Sequence, residues 1–178
     1  MARRISGWQL SCSLLELLGL MIWIGGMAVL LTTVIPAVFN TLGMETGGRF
    51  LRRVFDGYNA LTSGIVVLLI GTALFRYWKH RRAPNEKLPL SRSEVGLLAA
   101  LAFVTVLVVV VLGPKAVALQ EAAFAAESQE AKKTALEAFF RMHMIVRALH
   151  LINVGLAVSL LVVKFRHWVR NKGAFGFE

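Results

Sequence analysis

Between Glu16 and Arg49 the chain carries a single charged residue, Glu45. Two further runs, 57–75 and 95–114, carry none. Each is close to or above the roughly 20 residues whose helical rise crosses about 30 Å of hydrocarbon. A fourth run, 139–163, is also apolar enough to cross, although polar groups interrupt it. A soluble domain of 178 residues rarely needs 57% hydrophobic residues, and here they are gathered into runs. The expected fold class is all-α: a four-span transmembrane helix bundle forming one integral membrane domain over 1–178. The spans are placed at about 10–38, 58–78, 94–113 and 139–163.

The fourth run constrains the packing most. His143, Arg147 and His150 fall at i, i+4 and i+7, one stripe of a helix, with Phe139 and Val154 extending it and Asn153 alongside. An ionised arginine within a span costs at least a few kcal/mol on insertion scales. The stripe is therefore expected to face protein or water.

The first run is about twice as long as a signal-peptide core and lacks a small-x-small cleavage site, so it reads as a retained span. Glu16, Gly19, Trp23 and Gly26 recur on one face of it. The small residues permit close helix approach, and Glu16 is an intramembrane acid that snorkels, is protonated, or serves as a proton or ion ligand. Pro36 is expected to end or kink this helix. In the connection that follows, Phe50, Leu51, Val54 and Phe55 oppose Arg49, Arg52 and Arg53, the pattern of an interfacial amphipathic helix at about 48–56. Gly64 and Gly71, seven residues apart, read as packing glycines in the second span. The third span is expected to stop at Gly113-Pro114. An Ala-rich stretch, about 115–138, reads as an extramembrane helical segment leading into the fourth span.

The net charge of +10 is not a nucleic-acid signature, because Lys and Arg flank the apolar runs instead of forming a patch. Twelve of the 20 lie on the side of the termini and the 76–92 connection, and eight on the other side. That asymmetry places both termini in the cytoplasm and the protein in the cell membrane. The single Cys12 excludes an intrachain disulfide and a four-Cys metal site.

Depth sorts the polar residues. At about 1.5 Å rise per residue, Asp56, Asn59, Lys115, His143 and Arg147 gather in the outer half, with His150 nearer the middle and Glu16 in the inner half. Asp56 is the expected carboxylate partner of Arg147, and Glu16 a separate feature. The cluster reads as a structural ion-pair network or as a site for an anionic headgroup, a quinone or a small solute. Haem fits poorly, because His143 and His150 lie about 10 Å apart on one helix and cannot both ligate one iron axially. Copper bound by Met142, His143, Met144 and Cys12 suffers from neighbouring helical side chains pointing about 100° apart. No cofactor or metal is expected. No nucleophile–base pair, phosphate loop, dinucleotide glycine pattern or HExxH stands in the sequence, and the expectation is a non-enzyme. The expected role is a binding or transport component, or a subunit of a larger membrane complex, with the bilayer, other subunits or a second copy as partners. The alternative is a redox subunit holding haem b or quinone, or a metal-handling membrane protein.

Trp23 and Gly26, Pro36 and Phe39, Phe55 and Tyr58, Pro114-Lys115, then Phe139, Phe140, His143 and Asn153 recur in an order and spacing that resembles a family of small membrane proteins. That family includes eukaryotic transmembrane protein 205 and carries a domain of unknown function. The resemblance covers about 14–163 and implies a four-helix membrane protein. Two positions depart from it: Glu16 stands where the family often has His, and Gly113 where it often has an acidic residue. The first helix is also distantly similar to copper-resistance D-type membrane proteins.

Overall fold

The computed structural model describes residues 7–82 and 90–173, and every regular element among them is helical. In chain order these are α1 (Gly7–Val29), a π-helical turn (Leu30–Val34), α2 (Ile35–Arg82), α3 (Arg92–Val106), a second π-helical turn (Leu107–Leu112), α4 (Gly113–Ala125) and α5 (Gln129–Gly173). Three stretches are long and apolar enough to cross a membrane: Gly7–Arg82, Arg92–Ala125 and Gln129–His167.

The first stretch is folded back on itself. Gly43 adopts φ 69° and ψ −171°, a region that essentially only glycine tolerates, and the chain reverses there. Contacts pair symmetrically about that point. Trp8 meets Phe75 edge-on, Tyr58 Oη–H donates to the Trp23 carbonyl at 3.0 Å, and Gly47 lies against Val38 and Phe39. Residues 7–42 and 44–82 are thus antiparallel arms of one helical hairpin. The second arm is a single helix, so the amphipathic turns at 48–56 continue without a break into the apolar segment.

Pro36, expected to end or kink its helix, and Pro114, expected with Gly113 to stop one, each sit just past a widened turn. The Ile35 N–H bonds to the Leu30 carbonyl, and the Gly113 N–H to the Val108 carbonyl, each five residues back. A π-turn gives the proline ring room that a regular turn denies it, so the helix runs on past Pro36 and past Pro114. The break that does occur after the third apolar run lies at 126–128, where Ala126 is extended. Ser128 then starts α5, its Oγ accepting from the Ala131 N–H at 3.2 Å. The Ala-rich stretch is accordingly two helical pieces, α4 and the first turns of α5, which pack against each other.

α5 packs on α1, α3 and α4, and α2 on α1 and α3. The shared core is Leu20, Trp23, Met27, Tyr58, Ile65, Val66, Leu69, Leu101, Ala157 and Leu160. Glycine sets the closest approaches: a Cβ on Gly19 would lie 3.2 Å from Ile65, and one on Gly26 3.2 Å from Tyr58. Gly64 and Gly71 do not serve this purpose. Nothing lies within 4 Å of where their Cβ would be, because they face away from the bundle.

Candidate functional site: a buried charge cluster and an open polar end

The bundle has two ends of different character. Trp8, Arg76, Glu94 and Lys164 belong to the end that carries the described chain termini; the Gly43 turn and the 126–128 break lie at the other.

At the terminal end all four arms converge on Glu16, whose side chain is 1% exposed. Thr72 donates its hydroxyl to Glu16 Oε1 at 2.6 Å. Arg76 Nη2 and Lys164 Nζ each reach Oε2 at 2.8 Å, and Arg76 also donates to Ser13 Oγ at 3.2 Å. Lys164 bridges onward to Glu94 Oε1 at 3.0 Å. The other Glu94 oxygen accepts from the Ser91 N–H at 3.1 Å, and Ser91 Oγ accepts from the Glu94 N–H, a reciprocal cap that starts α3. Two carboxylates face two cations, so the buried cluster is neutral. Buried charge is tolerable only when paired and hydrogen-bonded in this way.

Above this cluster the interior is apolar and closed. Leu20, Trp23, Leu69, Leu101, Ala157 and Leu160 are each no more than 1% exposed. Asn153 follows on α5, buried, with Nδ2 donating to Thr105 Oγ1 at 2.9 Å and tying α5 to α3. The next inward position, His150, is half-buried beside the rings of Phe55 and Tyr58, at centroid distances of 6.0 and 6.5 Å.

At the far end the inward stripe of α5 opens. His143, against the Phe139 ring, and Arg147 are both exposed, as are Asp56 and Lys115. Asn59 is half-buried, and its Oδ1 is shielded without a hydrogen-bond partner among the described residues. The expected Asp56–Arg147 ion pair is not formed: neither residue has a salt bridge or side-chain hydrogen bond to any described residue. Both stand at the open end of the bundle, Arg147 about 25 Å along α5 from Lys164 and Asp56 about 30 Å along its arm from Arg76. Both side chains are exposed there, so neither needs a partner within the bundle to offset desolvation.

Sequence reasoning singled out Glu16 but missed its partners. Arg76 and Lys164 are the first charges after long uncharged segments, where by sequence alone they read as flanking charge. Their distance from the far end of each run puts them level with Glu16, and that alignment was the available signal. Among the described residues, no three His, Cys, Asp or Glu side chains converge as metal ligands would.

Large apolar side chains stand exposed between the two ends, including Val67 at 70%, Phe103 at 68% and Val110 at 64%. A water-facing surface does not sustain such a belt. Over its described residues the chain is all-helical, with the apolar helices of a membrane protein. Residues 18–125 match the family model described as a domain of unknown function, DUF4149, and the chain belongs to that family. Comparison with curated proteins and with solved structures returns no match.

Proposed function

We propose that this is a four-span protein of the cell membrane with both termini in the cytoplasm, and that it acts as a non-enzymatic binding component or complex subunit through its outer end. In this reading the Gly43 hairpin supplies two spans, and Arg92–Ala125 and Gln129–His167 supply one each. The order of Trp23, Gly26, Pro36, Tyr58, Pro114 and His143 further resembles the family of eukaryotic transmembrane protein 205.

The observation that carries the reading is the unequal treatment of charge at the two ends. At the terminal end the charges of Glu16, Arg76, Glu94 and Lys164 satisfy one another in the interior, beneath a closed apolar core. At the other end Asp56, Lys115, His143 and Arg147 are exposed, and Asp56 and Arg147 keep their charge unmatched by the protein. Such groups are available to a headgroup or to a partner subunit.

A photo-reactive amino acid placed in intact membranes at His143 or Arg147, and separately at lipid-facing Val67 or Phe103, tests this. The outer positions should give an adduct of one defined mass, and the lipid-facing positions only dispersed lipid adducts. The same dispersed adducts from all four positions would refute the reading.

A further inference from the structure

The outer end carries a second feature, apart from the α5 stripe. Between the early turns of the second hairpin arm and α4 lies a cleft of about 530 Å³, lined by Arg49, Arg52, Arg53 and Asp56 on one wall and by Glu121 and Phe124 on the other. Gly48 lets the walls approach, since a Cβ there would sit 3.1 Å from Gln120 Nε2. Most of the cleft's charge is already committed. Arg49 pairs with Glu45 at 3.0 Å and lies over the Phe124 ring at 5.2 Å, and Arg52 bridges the cleft to Glu121 at 2.6 Å. Arg53 and Asp56 are left: both exposed, neither in a salt bridge or side-chain hydrogen bond with any described residue.

These two stand one helical turn apart, at i and i+3, with Cβ atoms roughly 5–6 Å from each other. One free cation and one free anion at that spacing match a ligand that carries a phosphate and an ammonium two carbons apart. The carboxylate favours an ammonium with N–H groups to donate, because charge-assisted hydrogen bonds are the strong ones. A quaternary ammonium would prefer an aromatic face, and the Phe124 face is occupied by Arg49. The surroundings point to a lipid. Leu42, Met44 and Phe50, on the same connection, expose 41%, 73% and 48% of their surface, an apolar rim suited to acyl chains, and in the proposed four-span arrangement the cleft stands at the level where the hydrocarbon ends.

We propose that this cleft binds the headgroup of a zwitterionic phospholipid bearing a primary amine, with Arg53 on the phosphate and Asp56 on the ammonium. The proposal rests on the outer end being the binding end, and it names the ligand class there.

The test uses the full chain in detergent, exposed to equal amounts of dioleoyl phosphatidylethanolamine, phosphatidylcholine and phosphatidylglycerol, with retained lipid read by native mass spectrometry. The ethanolamine lipid should be retained about tenfold over the other two, as expected for one charge-assisted hydrogen-bonded contact. Arg53→Gln should lower retention of all three. Asp56→Asn should abolish the preference for the ethanolamine lipid and leave phosphatidylglycerol bound at least as well. Lys133→Gln, outside the cleft, should change nothing. Equal retention of the three lipids, or a preference that survives both cleft substitutions, would overturn the proposal. Displacement of the ethanolamine lipid by an equimolar amount of phosphoethanolamine, which lacks the acyl chains, would overturn the lipid assignment in favour of a soluble zwitterion. Loss of this preference with a defined adduct still formed at His143 or Arg147 would refute the cleft alone and leave the proposed function standing.

Discussion

Glu16 shows how one residue can hold four helices. Its carboxylate collects Thr72 and Arg76 from the second hairpin arm and Lys164 from α5, and Lys164 carries the connection to Glu94 on α3. Removing one charge from a buried neutral set leaves the remainder uncompensated and typically costs about 3–5 kcal/mol. Glu16→Gln should therefore lower the unfolding free energy of the detergent-solubilised protein by about that amount. Adding Lys164→Met restores neutrality between Arg76 and Glu94, so the double variant should recover most of the loss. Arg147 is expected to behave oppositely. It is exposed and without a partner, so Arg147→Met and Asp56→Asn should each stay within about 0.5 kcal/mol of the parent protein in the same measurement. The stripe containing Arg147 was legible in the sequence because helical spacing alone defines it. Its burial was not, since burial depends on how far up the bundle the helices stay in contact. Asn153, Ala157 and Leu160 are buried while His143 and Arg147 on the same side are exposed.

At the scale of elements, the apolar runs located the helices, but the punctuation between them misled. Pro36 and Gly113-Pro114 carry strong breaker signals, yet each is absorbed by a π-turn and its helix continues. Nothing in residue composition tells a proline that ends a helix from one that follows a widened turn, because the difference lies in a single hydrogen bond moving from i−4 to i−5. The reversal occurs at Gly43, within the expected connection between the first two spans. Its φ of 69° with ψ of −171° predicts that Gly43→Ala strains the turn by about 1–3 kcal/mol, measurable as a lower denaturation midpoint. Gly113 tests the second π-turn. A Cβ there would stand 3.0 Å from the Val108 carbonyl oxygen, so Gly113→Ala must shift backbone, at about 1–3 kcal/mol. The readings of Gly19 and Gly26 as close-approach positions hold, since both meet the second hairpin arm at 3.2 Å. That of Gly64 and Gly71 does not, because a seven-residue spacing defines a face but not which face packs.

For the whole molecule, the proposed arrangement has the Gly43 hairpin and the two later apolar stretches making four crossings, with the buried Glu16 cluster near the cytoplasmic surface and the Arg53–Asp56 cleft and Arg147 at the outer one. The measurement that tests this most directly is labelling of single cysteines in intact cells with a membrane-impermeant maleimide, in a chain carrying Cys12→Ser. Met44→Cys at the hairpin turn and Glu127→Cys at the 126–128 break should be labelled from outside. Arg82→Cys should be labelled only after the membrane is permeabilised. Labelling of Arg82→Cys and Glu127→Cys from the same side would contradict the four-span arrangement, and with it the assignment of an outer binding end.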